Sequence, residues 1–425
     1  MRPRRNIIVI TAVAGLLIAA CSSKGATSSD ASSAPSATTP TTDAATTSTV
    51  SAADIAEAAK AYTEPGPYAV GVTTVALANG VATEIWYPAI AGSIGTETYD
   101  ARDFTDPAIR ALLTAQIPAT HSYQAARDAA VADGKFPVVL NSHGFSGWRV
   151  VSSFLTSHLA SWGMIVVSPE HKTRDLLHLA SNLPAASATT TTVSGPNTST
   201  ASTDATPSTD PKVVAALNES VADLLGGLDF ITAQGIDATS KFNGHVDVDH
   251  VGALGHSAGG GTILKAALDP RIDGYVSMAS GIFGATTDLP AKPSFFLSGS
   301  IDQIASTKRT HDAYLKVPTP SLFWRIEGAG HNAFDDLCTL GDGKGIIGIA
   351  EASGLGAFLD SLPLIRKLGS DGCLPPAVPV TTTFPIIDHA VTAWFLNLFG
   401  IDATPKGLDA HVANSYATKL TIEQR

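Results

Sequence analysis

HVGALGHSAGGGTILKAAL, residues 250–268, is the stretch on which the reading of the fold turns. A short apolar run enters Gly255-His256-Ser257-Ala258-Gly259, and a segment of helical composition leaves it. Gly-x-Ser-x-Gly is too short a pattern to carry weight alone. Between a strand and a helix, however, it specifies a sharp turn that needs small neighbours and raises one hydroxyl at the strand's carboxyl end.

The flanking chain supplies that setting. FPVVLNSHG (136–144) has the character of a short buried strand, VSSFLTSHLASWG (151–163) has helical periodicity, and MIVVSP (164–169) is again a strand, which makes a βαβ unit. Upstream, YAVGVTTVAL and VATEIWYPA flank Ala78-Asn79-Gly80, a hairpin signal. Downstream, VVAALNESVADLLGGLDFITAQ (213–234) places Leu224, Leu228 and Ile231 on one helical face. Strands then follow at YVSMAS (275–280), SFFLSGS (294–300) and SLFWRIEG (321–328), with helices between them, and IIDHAVTAWFLNLFG (386–400) closes the order. Such alternation predicts the α/β class: a mostly parallel central sheet, helices on both faces, and a site at the carboxyl ends of the strands.

A serine hydroxyl is a weak nucleophile and needs a base and an orienting acid. Of the histidines, His331 in EGAGHNAF follows the last strand directly, where a loop can bring it over Ser257. His143 belongs to another turn, and His256 adjoins the serine but points elsewhere. His121, His158, His311, His389 and His411 are expected in helical or irregular chain. Asp302 follows SFFLSGS at another strand end, and Asp288 and Asp312 are its competitors. The chain order Ser257, Asp302, His331 is the one this architecture imposes. Two N–H donors for an oxyanion are expected at Ala258 and at Phe145 in the turn Asn141-Ser142-His143-Gly144-Phe145. A free His331 must be neutral to act as base, so activity is expected to rise through about pH 6 to 7.

GPYAVGVTT (66–74), EIWYPA (84–89), FPVVLNSHGF (136–145), VVSPEH (166–171), GHSAGGG (255–261), SGSID (298–302) and GAGH (328–331) together resemble the α/β-hydrolase superfamily. Within it they are similar to platelet-activating-factor acetylhydrolases and bacterial polyester hydrolases. The resemblance implies acyl transfer on carboxylic esters through an acyl-enzyme, with no cofactor and no metal. An amidase, peptidase or acyltransferase of the cell envelope would use the same residues, and a non-catalytic binding lipoprotein is the more distant alternative.

The ends of the chain bear on location. MRPRRN is basic and IIVITAVAGLLIAA (7–20) is apolar but short for a span, so residues 1–20 are expected to be an export signal. Ile18-Ala19-Ala20-Cys21 resembles the lipobox of bacterial lipoproteins, which implies lipidation at Cys21 and anchoring at the outer face of the cytoplasmic membrane. Residues 21–61 are expected to form a disordered tether with a reach of ~30 Å, and residues 62–425 one catalytic domain. Within that domain, the serine- and threonine-rich segment 180–211 is expected to be a low-complexity insertion. In an oxidising compartment Cys338 and Cys373 are left to pair, closing an insertion over 338–373, a bond that would contribute about 3 to 4 kcal/mol in the chain-entropy picture. Residues 345–369 inside it, apolar and glycine-bearing, are equally suited to a lid and to a packed helical excursion. The formal net charge of −11 becomes more negative once the leader's arginines are removed, which argues against nucleic acid as a partner. A small-molecule or lipid-like ester and, through the anchor, a membrane are the expected partners, and the sequence leaves the oligomeric state open.

Overall fold

The computed structural model describes residues 51–178, 210–282 and 288–425. The export signal, Cys21 and most of the 180–211 insertion therefore lie outside the described residues. Among those that are described, no helix is long and apolar enough to cross a membrane.

The strands are β1 Ala69–Ala76, β2 Ala82–Ala89, β3 Thr96–Asp100, β4 Thr120–Gln124, β5 Ala126–Arg127, β6 Phe136–Ser142, β7 Ile165–Pro169, β8 Val246–His256, β9 Gly274–Met278, β10 Ser294–Gly299, β11 Ser321–Ile326 and β12 Leu420–Gln424. Ten of them form one sheet in the order β12-β11-β10-β9-β8-β6-β7-β2-β1-β5, while β3 and β4 pair apart. From β7 through β11 every neighbouring pair is parallel. The β1–β2 hairpin and β12 are antiparallel additions at the two sides.

Alternation along the central strands builds two cores, one on each face of the sheet. Val139, Val166, Leu254 and Phe295 point to the first, where the helices Ser153–Ser161 and Val380–Leu398 contribute Leu155, Leu159, Ile387 and Phe395. Val138, Leu140, Ile165, Val167, Ala253 and Phe296 point to the second, against Leu224, Leu228 and Ile231 of Pro211–Ile236, Ile263 of Ala258–Ala266 and Tyr314 of Thr307–Lys316. The fold is thus the expected α/β arrangement, with helices on both faces.

Several boundaries differ from the sequence reading. The domain begins near residue 51 rather than 62, because Ala52–Lys60 is a helix and not part of a disordered tether. Its start is a capping box, with Ser51 Oγ accepting from Asp54 N at 3.1 Å and Asp54 Oδ2 accepting from Ser51 N at 3.3 Å. Ala59 and Tyr62 are buried in the first core, and Tyr62 meets Trp162 edge-on with ring centroids 4.8 Å apart. The density of serine and threonine upstream hid this small apolar face. At the end of the expected insertion, Asp210 caps and Pro211 opens the helix Pro211–Ile236. The closing helix starts at Val380, with Pro385 inside it. The short polar strands β3, β4 and β12 carry no strong alternation, and His121, expected in irregular chain, lies on β4.

Cys338 and Cys373 are disulfide-bonded. The loop they close carries three short helices, Ile346–Ala352, Gly356–Asp360 and Pro363–Leu368. Ile347, Ile349 and Leu359 are buried there, while Phe358 and Leu364 remain exposed. Replacing both cysteines by serine is predicted to lower the unfolding free energy by about 3 kcal/mol, measured by urea denaturation. An unchanged midpoint and slope would show that the cross-link does not constrain the unfolded chain.

Candidate active site

The central strand β8 runs straight into the serine, and the helix Ala258–Ala266 leaves it. Ser257 sits at φ 55° and ψ −121°, a region a non-glycine residue occupies only under constraint. The constraint is visible on both sides of the residue. Ser257 N–H donates to Met278 O of neighbouring β9 at 2.9 Å, and Ser280 Oγ–H donates to Ser257 O at 2.7 Å. Gly259 lets the helix lie against the end of β6: a Cβ there would stand 1.9 Å from the Ser142 carbonyl oxygen.

The structure brings Ser257, Asp302 and His331 together from three separate strand ends. His331 Nδ1 lies 2.9 Å from Asp302 Oδ2, and His331 Nε2 lies 2.9 Å from Ser257 Oγ. A carboxylate only accepts, so Nδ1 carries the ring proton and Nε2 accepts from the serine hydroxyl. The other oxygen of Asp302 accepts from Ile304 N (2.8 Å) and Ala305 N (2.7 Å), which fixes its orientation. The side chains of His331 and Asp302 are buried, 1% and 0% exposed, whereas Ser257 keeps 9% exposure as a residue. Burial alone would push the His331 imidazole down, but the charge and hydrogen bond of Asp302, joined by Asp335 and Asp371, outweigh it and raise the group above its ordinary value. The competitors are elsewhere: Asp288 precedes β10, and Asp312 is in the helix Thr307–Lys316, ion-paired with Lys308.

Ala258 N–H is the first of the helix and Phe145 N–H lies in the turn after β6; neither has a hydrogen-bond partner among the described residues. That turn approaches closely, since a Cβ on Gly144 would stand 3.1 Å from Ser257 Cβ. The turn is held by long-range contacts that carry no local sequence signal. His143 Nε2 accepts from His171 N at 3.1 Å, which leaves Nδ1 to donate to Gly144 O at 2.9 Å. Burial pushes both imidazoles, His143 and His171, well below their usual range, so each stays neutral. Arg174 O accepts from Ser146 N at 2.7 Å, while its guanidinium donates to Thr262 Oγ1 and Ser142 Oγ at 2.6 Å each.

A second serine–histidine–aspartate series lies beneath the turn. Ser142 Oγ is 3.0 Å from His171 Nε2, and His171 Nδ1 is 3.2 Å from Asp223 Oδ2. Ser142 and His171 are 0% exposed and Asp223 is 2% exposed, so no ester carbonyl can reach that hydroxyl. Exposure separates the two arrays where residue type does not.

His256, expected to point away, supports the loop that carries His331 instead: its Nε2 donates to His331 O at 3.0 Å and its Nδ1 lies 3.3 Å from Asp335. Trp148 is fully buried, stacked on Phe104 with centroids 5.6 Å apart, and is therefore a packing residue. Phe145 remains half-buried beside the serine. Among the described residues no cluster of three or more His, Cys, Asp or Glu is arranged to hold a metal ion.

Gly259→Ala is predicted to cost about 3 kcal/mol or more, because the clash is with backbone and no side chain can swing aside. Chemical denaturation and ester turnover measure it. A variant with wild-type stability and turnover would mean that the helix does not pack as described.

Residues 65–183 match the family described as "Platelet-activating factor acetylhydrolase, isoform II". No curated protein matches the chain. Among solved structures, a ferulic acid esterase from Streptomyces cinnamoneus matches 85% of this chain and 99% of its own, at 19% identity and a TM-score of 0.56. At that identity the likeness speaks for the fold. Taken with the strand order, it gives the chain the α/β-hydrolase fold, and the match over residues 65–183 supports a carboxylic ester hydrolase.

Proposed function

We propose that this esterase acts on hydrophobic or lipid-like esters with Ser257 as nucleophile, His331 as general base and Asp302 as the acid that orients it. Ser257 Oγ attacks the ester carbonyl as its proton passes to His331 Nε2. The carbonyl oxygen gains the negative charge and is held by the N–H groups of Ala258 and Phe145. The tetrahedral intermediate collapses, the C–O bond to the alcohol breaks, and His331 returns the proton to the leaving oxygen. Water then repeats the sequence on the acyl-enzyme, releasing the acid and restoring the serine.

The observation that carries this reading is the continuous hydrogen-bonded series Asp302–His331–Ser257, with its hydroxyl end partly exposed and two unpaired backbone N–H groups alongside. Support for an apolar substrate comes from a 160 Å³ cavity lined by Ile346, Ile349, Leu355 and Phe358 of the disulfide-closed loop and by Leu176. Leu176 N–H donates to Gly147 O at 3.0 Å, which joins that cavity wall to the turn bearing Phe145. The lipobox-like stretch ending at Cys21 supports an enzyme exported and lipid-anchored at the outer face of the bacterial cytoplasmic membrane.

Ser257→Ala is predicted to lose turnover of p-nitrophenyl esters by at least about 1000-fold and to escape labelling by a fluorophosphonate probe that modifies the wild type. Retained labelling at another serine would reassign the nucleophile.

The raised His331 fixes the sign of the pH dependence. The base works when neutral, so kcat/KM falls as pH drops through its pKa, and the acidic limb is predicted to lie above the ordinary imidazole value of about 6.5. This is higher than the sequence reading expects. A limb below that value in a pH series would contradict the electrostatics described above.

A further inference from the structure

Asp371 comes from the far end of the disulfide-closed loop, two residues before Cys373, yet it meets both loops that carry the acid and the base. Its Oδ2 accepts from His331 N at 2.9 Å and from Gln303 N, the residue after Asp302, at 3.2 Å. Its own carbonyl accepts from Asn332 N at 2.9 Å, and Asn332 Nδ2 donates to Leu368 O at 2.9 Å. Next to it the two backbones touch: a Cβ on Gly330 would lie 2.3 Å from Gly372 Cα. The side chain is buried, with 7% of the residue exposed.

We infer that Asp371 is a positioning residue for ester hydrolysis, whose carboxylate clamps the Asp302 and His331 loops to each other and faces the imidazolium that forms at His331 during attack. The inference rests on the assignment of Ser257, Asp302 and His331 made above. Hydrogen bonds alone would be served by a neutral acceptor. A buried carboxylate is costly unless it is compensated, and here two N–H donors and the adjacent histidine compensate it. Burial raises Asp371 above the usual carboxylate range, which the two backbone N–H bonds and His331 partly offset. The other groups around His331 are Asp302, Asp335 and His256, while Arg309 acts on Asp302 from the helix Thr307–Lys316. The far end of the 338–373 segment, with Asp371 40 residues from His331, thereby becomes part of the apparatus that positions the triad.

The test compares Asp371→Asn and Asp371→Ala in the full chain, with Ser257→Ala as reference, by pH series of kcat and kcat/KM on a p-nitrophenyl ester. Asparagine keeps an acceptor for both N–H groups but removes the charge. It is predicted to retain more kcat than alanine while its acidic limb moves to lower pH, since a charge favouring imidazolium is gone. Alanine is predicted to lose about 10- to 100-fold in kcat with KM little changed, because the base is misplaced and the ester-binding surface is not. Superposed acidic limbs for Asp371→Asn and wild type, or a folded Asp371→Ala within twofold of wild-type kcat, would overturn the inference. Should alanine fail to fold, the asparagine pH series decides alone. If Ser257→Ala itself retained turnover, the assignment of the nucleophile would fall, an outcome distinguishable from failure at Asp371.

Discussion

At Ser257 the chain passes from β8 into a helix through a backbone conformation that a non-glycine residue avoids, at a cost of about 1 to 3 kcal/mol. The rest of the site depends on that turn being held. Hydrogen bonds to Met278 O and from Ser280 Oγ fix the residue on the β9 side. On the β6 side, close approach of Gly259 to the Ser142 carbonyl fixes the start of the helix. Once the turn is closed, the hydroxyl stands at the carboxyl end of the central strand and the Ala258 N–H is turned out of the helix ladder. The separate turn after β6 brings Gly144 against the serine, so the two turns together set the proposed nucleophile and oxyanion donors.

Around this turn the molecule buries many polar groups, and they fall into two functional kinds. Beneath it, His143, His171, Arg174, Ser142 and Asp223 form a closed network that holds the shape of the β6 turn and presents no hydroxyl to solvent. Beside it, Asp302, Asp335 and Asp371 surround one histidine with negative charge and raise its basicity against the effect of burial. The first network makes its imidazoles poor bases and the second makes His331 a good one. Environment assigns these roles, because both sets contain the same residue types.

Much of this was legible in the sequence for identifiable reasons. Short continuous apolar runs in FPVVL, MIVVSP and SFFLSG marked strands buried on both sides, and the order Ser257, Asp302, His331 followed from placing each residue after a strand. What escaped the reading depended on long-range contact. The helix Ala52–Lys60 is stabilised by packing of Ala59 and Tyr62 against distant chain, so composition alone suggested disorder. Strands β3, β4 and β12 are short and polar, and pairing rather than pattern defines them. Asp371 and His256 bond to backbone groups of the loop that carries His331, and no local signal announces that. The buried series Ser142–His171–Asp223 could be set aside only once exposure was known.

The most direct measurement is intact-protein and peptide mass spectrometry of enzyme quenched during turnover of an activated ester. One added acyl group is predicted, on the peptide containing Ser257, appearing at the rate of the first product burst. An acyl group on any other residue, or turnover with a burst but no covalent adduct at Ser257, would contradict it.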